Sequence, residues 1–210
     1  MKQEKPFFSI IVPTFNRPAQ LAACLESLAC LDYPLGRFEV IVSDDGSQTR
    51  LETLVASFSN RLDIVLAHQT HSGPAIARNK GAAQAKGDLL AFTDDDCTPA
   101  ADWLKTLAAR FTETPDVMIG GRTLNVLLDN PYSTASDLLI RYLYAYYNRN
   151  PDQAGFFTSN NLTVPKGGSC PTWMARVAKP AGLFCLDMMS FCGALSIQSL
   201  SISLRSAAIS

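Results

Sequence analysis

Three consecutive carboxylates, Asp94, Asp95 and Asp96, follow the apolar segment Leu89–Thr93 and are well suited to chemistry. Ionised carboxylates about 5 Å apart repel by about 3 kcal/mol per pair at an effective dielectric constant near 20, so a neighbouring group must offset the repulsion. A divalent cation would do so, since hard oxygen ligands suit Mg²⁺ or Mn²⁺. Because strand side chains alternate, we predict that Asp94 and Asp96 share this ion and that Asp95 points to the other side. The alternative is an Asp-rich turn that only caps the next helix.

A second acidic segment, Ser43-Asp44-Asp45-Gly46-Ser47, follows the strand-like segment 38–42 in the same way. Asp-Gly is a common turn dipeptide, so this pentapeptide alone favours a plain turn over a binding site. Its position at the end of a predicted strand places its carboxylates at the same edge as Asp94 to Asp96. The two segments together therefore favour a site more strongly than either one does.

A third segment combines a helix start with a basic residue. Residues 72–79 read Ser-Gly-Pro-Ala-Ile-Ala-Arg-Asn, so free backbone N–H groups at the start of a predicted helix precede Arg78. Both features favour phosphate, because the N-terminus of a helix attracts anions and a guanidinium binds phosphate oxygens in pairs. A solvated helix face is the alternative. His68 and His71 lack the spacing of metal ligands and are interpreted as loop residues.

The elements that must position these side chains alternate along the chain. Short apolar runs at 7–12, 38–42, 62–67 and 89–93 predict strands, the first of them ending at Pro13. Helical spacing predicts helices that begin near Pro18, Leu51 and Pro74, followed by a helix at 103–111, a strand at 117–119 and an aromatic-rich helix at 136–147. Such alternation predicts an α/β fold with a mostly parallel sheet, helices on both faces, and ligands beyond the carboxyl ends of the strands.

Composition narrows the class of protein. A chain of 210 residues holds one substantial α/β domain, and a formal net charge of −1 provides no basic field for nucleic acid. The six cysteines form no C-x-x-C pair and are interpreted as reduced thiols of a cytoplasmic protein. The polar start and the short apolar run after it predict no signal peptide. Residues 181–204 are too serine-rich for a good spanning helix, so the expected membrane contact is peripheral, at the inner face.

Taken together, four ordered motifs resemble the family 2 glycosyltransferases of the GT-A fold. They are Ser-Ile-Ile-Val-Pro-Thr-Phe-Asn-Arg (9–17), Val-Ile-Val-Ser-Asp-Asp-Gly-Ser (40–47), Gly-Pro-Ala-Ile-Ala-Arg-Asn-Lys-Gly (73–81) and Gly-Asp-Leu-Leu-Ala-Phe-Thr-Asp-Asp-Asp (87–96). The segment 157–164 also resembles the family's later strand, which borders the acceptor side. The resemblance covers about residues 7–166 and implies a GT-A fold with a Rossmann-like nucleotide-binding half.

The resemblance implies metal-dependent transfer of a sugar from a nucleotide diphosphate sugar to an acceptor. It favours a UDP-sugar as donor and leaves the acceptor open among lipids, polysaccharides and proteins. It implies that Asp45 hydrogen-bonds the base and that Arg78 lies near the base and the diphosphate. The full implied donor-binding set is Pro13, Thr14, Asn16, Asp45, Arg78, Asp94 and Asp95. Asp94 and Asp96 are the implied ligands of Mn²⁺ or Mg²⁺, which would assist the leaving diphosphate as a Lewis acid.

The sequence departs from the family pattern after Lys166. The family's Gly-Gly-Phe-Asp-like turn and the Glu-Asp pair that supplies the general base are missing from the sequence there, and Asp187 is not assigned that role. The 44 residues 167–210 contain four charges and eight serines, and we interpret them as a tail foreign to the family, as a translational frameshift would produce. The donor-binding domain is thus predicted at 1–166.

Three classes of function are compatible with the sequence, and the missing general base bears on the choice between the first two. The first is the metal-dependent glycosyltransferase. The second is a catalytically impaired protein that still binds nucleotide sugars. The third is a sugar nucleotidyltransferase, which would usually carry a glycine-rich phosphate loop after its first strand, whereas Pro-Thr-Phe-Asn-Arg (13–17) contains no glycine.

Overall fold

A computed structural model describes residues 5–149, 156–167 and 197–206, the last range by its backbone alone. The strands are β1 (Phe8–Thr14), β2 (Phe38–Asp44), β3 (Ile64–His68), β4 (Leu89–Thr93), β5 (Cys97–Pro99), β6 (Met118–Asn125), β7 (Asn161–Pro165) and β8 (Ile197–Ser206). The helices are α1 (Pro18–Leu28), α2 (Glu52–Ala56), α3 (Pro74–Gln84), α4 (Trp103–Glu113) and α5 (Pro131–Tyr147), and a 3₁₀ turn spans Leu35–Arg37.

The strands form one sheet in the order β3-β2-β1-β4-β7-β6-β8-β5. β1, β2, β3 and β4 are parallel, which confirms the alternation expected from the sequence. β7 lies between β4 and β6 and is antiparallel to both, so the sheet is mixed beyond β4. β8 pairs with β6 and β5, while residues 168–196 and 207–210 lie outside the described residues. The division of the chain at residue 166 stays a prediction.

Alternating side chains of the parallel strands build a core on each face of the sheet. Phe8, Ile10 and Val12 of β1 pack with the apolar stripes of α1, α2 and α4. Ile11 packs on the opposite face, with Ala82 of α3, Ala85 directly after α3 and partly buried Tyr144 of α5. Strands that are buried on both faces carry unbroken apolar runs, which is why these segments were recognisable in the sequence. Helices therefore cover both faces, as predicted.

The expected end of the first strand at Pro13 was wrong. β1 continues to Thr14, because Pro13 lies where its missing N–H removes no bond from the sheet. Phe7 O accepts from β4 and Thr14 O accepts from the residue after β2, so odd residues of β1 face β4 and even ones face β2. Pairing between β1 and β4 ends at Ile11, two residues before Pro13.

The helix predicted to begin near Leu51, from the apolar spacing of Leu51, Leu54, Val55 and Phe58, is shorter in the structure than that spacing suggests. α2 covers only Glu52–Ala56, and the chain continues in turns to Leu62. Leu51 and Phe58 are nevertheless buried in the core, so the apolar pattern identified the buried face correctly. Hydrophobic spacing reports burial more reliably than it reports the ends of a helix.

Two glycines allow elements to approach closely. A Cβ on Gly81 of α3 would lie 2.5 Å from Ser43 Oγ and 2.8 Å from Ile11 Cγ2, so α3 lies directly against β1 and β2. A Cβ on Gly120 of β6 would lie 1.9 Å from Cδ1 of Phe157, whose ring is buried. Both contacts require a residue without a side chain.

Replacing Gly120 with alanine should therefore lower the free energy of unfolding by about 1 to 3 kcal/mol, because the added methyl overpacks the core. Urea unfolding measures this change. Gly36→Ala is the matched control, since a Cβ at Gly36 would meet nothing within 4 Å. An equal effect of the two substitutions would contradict the close packing of Gly120 on Phe157.

No helix in the described ranges is long and apolar enough to cross a membrane. Most of the weak membrane candidate at 181–204 lies outside those ranges, with only its last residues in β8. Cys24, Cys30 and Cys97 are free thiols, and the other three cysteines are not described.

Candidate functional site

The predicted acidic segments come together at the carboxyl edge of the parallel strands, and Thr14 joins them. Thr14 O accepts a hydrogen bond from Asp45 N at 2.9 Å. Its hydroxyl Oγ1 donates to Asp95 Oδ2 at 2.7 Å. Thr14 itself is buried, at the last residue of β1 and opposite Asp44 of β2. One threonine therefore contacts both acidic segments, although Asp45 and Asp94 are 49 residues apart in the sequence.

The three aspartates do not lie on a strand, so the expected alternation of their side chains was based on a wrong premise. β4 ends at Thr93, and Asp94 to Asp96 form the turn that leads to β5. Cys97 N closes this turn by donating to Asp94 O at 3.1 Å. Two arginines contact the turn. Arg78 Nη2 donates to Asp94 Oδ1 at 2.5 Å, whereas Arg17 contacts the other two aspartates.

A pinned turn between β1 and α1 presents Arg17 to the aspartates. Asn16 adopts φ 56°, in the left-handed region that asparagine tolerates better than most residues. Its N–H donates to Ser47 Oγ at 2.9 Å, and its side-chain Oδ1 accepts from Gln48 N at 2.8 Å. Asn16 thus ties the turn to the loop after β2. This contact gives Asn16 a structural role, and its predicted contact with a donor stays a prediction.

The turn of aspartates is electrostatically strained. Burial, followed by the charges of Asp94 and Asp95, raises the pKa of Asp96 above its usual value, and Arg17 offsets only part of this. Burial also raises the pKa of Asp95, although the hydrogen bond from Thr14 and the charge of Arg17 oppose it. Their charged forms are therefore disfavoured in the folded protein. An additional cation would relieve this cost.

The donor set of the turn fits a hard divalent ion. The side chains of Asp94 and Asp96 are 31% and 19% exposed, whereas that of Asp95 is 5% exposed and engaged by Thr14 and Arg17. Nowhere in the described ranges do three or more carboxylate, imidazole or thiol groups converge to enclose a metal. Mg²⁺ and Mn²⁺ commonly bind one or two carboxylates and complete their shell with water and substrate phosphates. Asp94 and Asp96 remain the predicted ligands.

Asp45 lies in the same layer, with its carboxylate engaged on all sides. Oδ1 accepts from Gln69 Nε2 at 2.7 Å and from Ser72 N at 2.8 Å. Oδ2 accepts from Gly73 N at 2.8 Å and lies 2.9 Å from His71 Nδ1. Burial alone would raise the pKa of Asp45, but these hydrogen bonds and His71 outweigh it, so the pKa is lowered. Asp45 therefore fixes the segment that leads into α3, and its predicted bond to a base stays a prediction.

The sequence interpretation missed the two histidines and Phe15. His68 is the last residue of β3 rather than a loop residue, and its Nδ1 lies 2.8 Å from Asp44 Oδ2. The ring of His71 stacks on that of Phe15 with centroids 4.1 Å apart. The side chain of Phe15 is exposed, so the pair forms a partly open aromatic surface beside Asp45. Metal-ligand spacing could not reveal these contacts, because each histidine pairs with an aspartate on a neighbouring strand end.

No general base is assigned among the described residues. Asp187, the one carboxylate downstream of Lys166, lies outside them. Asn161 at the start of β7 pairs with Thr93, so β7 borders the turn of aspartates. Its side-chain Oδ1 accepts from Trp103 Nε1 at 3.2 Å, which fixes Asn161 in the protein interior.

Comparison with solved structures identifies the fold. The crystal structure of Staphylococcus aureus TarS 1–349 in complex with UDP matches with a TM-score of 0.72 and 23% identity, over 96% of this chain and 60% of that chain. The mannosyltransferase PcManGT from Pyrobaculum calidifontis, in complex with GDP-Man and Mn²⁺, matches with a TM-score of 0.68 and 20% identity, over 99% and 58%. The fold is therefore that of the GT-A glycosyltransferases, as the sequence predicted.

The sequence comparisons define the family. The chain belongs to glycosyl transferase family 2, whose profile matches residues 9–170. Among curated relatives, the glycosyltransferase AglE of Haloferax volcanii is 33% identical over 123 residues, which cover 58% of this chain and 40% of AglE. The chain thus spans less than half of that relative and about 60% of TarS 1–349.

Proposed function

We propose that this chain binds a nucleotide diphosphate sugar at the carboxyl edge of β1, β2 and β4 and transfers the sugar to an acceptor with the help of Mn²⁺ or Mg²⁺. The observation that carries the proposal is the turn Asp94 to Asp96 with Arg17 and Arg78 against it. Carboxylates that bind a divalent ion next to guanidinium groups suit a diphosphate, which carries charge and offers hard oxygen ligands.

Different residues of the site would contact different parts of the donor. Asp94 and Asp96 would hold the divalent ion, and Arg78 would exchange its bond with Asp94 for the phosphate oxygens. Asp45 would position the start of α3, and the aromatic surface of Phe15 and His71 would adjoin the nucleoside. UDP is the favoured nucleotide, in line with the UDP complex of TarS, although PcManGT was solved with GDP-Man.

The chemistry follows from charge. The sugar leaves a diphosphate on which negative charge develops, and positive groups that are already in place stabilise such a transition state. The bound ion would supply Lewis-acid assistance to that leaving group. Arg78 would add a guanidinium held in position by α3, while the buried Thr14 and Asp95 keep the turn in place beneath the phosphates.

Loss of catalysis with retained binding is the second candidate. It is favoured by one observation: the sequence after Lys166 lacks the family's Glu-Asp pair, and proton removal from an acceptor by a base contributes about 10² to 10⁴ in rate. The acceptor and a peripheral membrane association remain predictions.

Calorimetric titration tests the proposal. We expect UDP or a UDP-sugar to bind in the presence of Mn²⁺ and to bind at least about tenfold more weakly in EDTA, because the ion bridges carboxylates and phosphates. GDP and dTDP serve as comparison ligands. Donor hydrolysis and transfer assays then separate the candidates: Mn²⁺-dependent binding without turnover supports the silent binder. Absence of binding by all three nucleotides would refute the donor site.

A further inference from the structure

One guanidinium nitrogen bridges two of the three aspartates. Arg17 Nη1 lies 3.4 Å from Asp95 Oδ1 and 3.5 Å from Asp96 Oδ2. Asp94 has a separate partner, Arg78, so two guanidinium groups contact the three carboxylates of the turn. Arg17 is thus the cation that compensates the pair Asp95 and Asp96.

The backbone of Arg17 is fixed, but its head group has freedom to move. The neighbouring Asn16 is tied to Ser47 and Gln48, and Arg17 O accepts the first hydrogen bond of α1, from Leu21 N at 3.0 Å. The side chain of Arg17 is nevertheless 53% exposed, and both of its contacts are longer than ordinary charged hydrogen bonds. Such a contact is weak and can be exchanged for another at small cost.

The two aspartates differ in what they can release. Asp95 is nearly inaccessible and keeps its bond to Thr14, whereas Asp96 is more exposed and has no comparable hydroxyl partner among the contacts described. A divalent ion that binds Asp96 would therefore meet Arg17 as a competing cation. Two positive groups at one carboxylate repel, so binding of one weakens binding of the other.

On the basis of the proposed donor site, we propose that Arg17 is a resident counter-cation that sets the affinity for the divalent ion. In the metal-free protein it partly neutralises Asp95 and Asp96. When the ion binds Asp96, the guanidinium moves away from that carboxylate. Arg17 is a positioning residue in this role, since it acts on the ion through Asp96.

Titration of the purified protein with Mn²⁺ alone tests the inference. Arg17→Met should bind Mn²⁺ about three- to fivefold more tightly than the unaltered protein, because the competing charge is gone. Arg17→Lys keeps the charge and should stay within about twofold. In EDTA, Arg17→Met should unfold at a lower temperature, and saturating Mn²⁺ should raise its midpoint more than it raises that of the unaltered protein.

Arg61→Met is the matched control, because it removes the same charge from a side chain of similar exposure. Arg61 precedes β3 and pairs with Glu26 rather than with the aspartates of the turn. It should leave the Mn²⁺ affinity unchanged. Equal or weaker affinity in Arg17→Met, while Arg61→Met behaves like the unaltered protein, would overturn the inference and leave the donor site standing. No Mn²⁺ binding by any variant, with or without UDP, would overturn both.

Discussion

Replacing Asp96 with asparagine should reduce Mn²⁺-dependent binding of UDP at least about 100-fold, because a neutral amide is a poor ligand for a hard cation. The same substitution should raise the unfolding temperature in EDTA at pH 7. The pKa of Asp96 is raised in the folded protein, so its charged form costs stability at neutral pH. A carboxyl whose pKa is raised on folding stabilises the protein at pH values below its unfolded-state pKa. This stabilisation is lost as the pH rises through its folded-state pKa.

The gain in unfolding temperature should therefore shrink as the pH falls below about 4, where Asp96 becomes protonated in the unfolded state as well as in the folded one. Scanning calorimetry in EDTA at several pH values measures it. Asp63→Asn is the control, since Asp63 is exposed and precedes β3, at the opposite edge of the sheet. Unchanged Mn²⁺-dependent affinity for UDP in Asp96→Asn would remove Asp96 from the set of metal ligands.

Replacing Asp45 with alanine should lower the free energy of unfolding by about 3 kcal/mol and abolish nucleotide binding. The substitution leaves the backbone N–H groups of Ser72 and Gly73 and the amide of Gln69 without their acceptor. A hydrogen bond to a charged group contributes about 1.5 to 3 kcal/mol, and water can replace part of this loss because Ser72 is exposed and Gln69 and Gly73 are half-buried. Since these residues lead into α3, their release should also displace Arg78. Urea unfolding and UDP titration measure the two effects.

The pH dependence of Asp45 has the opposite sign from that of Asp96. Its pKa is lowered on folding, so it contributes stability above about pH 4 that is lost as the pH falls through its folded value. The difference in free energy of unfolding between the unaltered protein and Asp45→Asn should accordingly become smaller at acidic pH. Asp116→Ala, at an exposed position before β6, controls for the loss of a carboxylate. If Asp45→Ala were no less stable than Asp116→Ala, Asp45 would not anchor the segment before α3.

The sequence allowed the first half of the fold to be predicted because β1, β2 and β4 are buried on both faces. Unbroken apolar runs such as Leu89 to Phe92 of β4 are produced by burial alone, whatever the neighbouring strand. The meeting of Asp45 and Asp94 at one edge followed from the same parallel arrangement. The antiparallel insertion of β7 was not predictable in this way, because strand order depends on contacts between distant segments.

The contacts within the site were predicted less well than its location. The residues 94 to 96 were treated as part of a strand, although β4 ends at Thr93. Arg17 was quoted in a motif but given no role, since no spacing rule connects residue 17 with residue 96. The pairing of His71 with Asp45 likewise depends on a loop conformation. Local patterns identify which residues carry charge, whereas the fold decides which charges meet.

The absence of a side chain at Gly81 has a consequence for which homologues of this chain keep the same site geometry. Gly81 lies one turn after Arg78 on α3, and α3 lies so close to β1 and β2 that a single methyl would collide with Ser43 and Ile11. The reach of the guanidinium is therefore set by the spacing between two backbones rather than by the length of the arginine. Gly81, which has no functional group, thereby determines how close Arg78 lies to the site. A homologue that keeps every charged residue but enlarges this position would be expected to have drifted in activity.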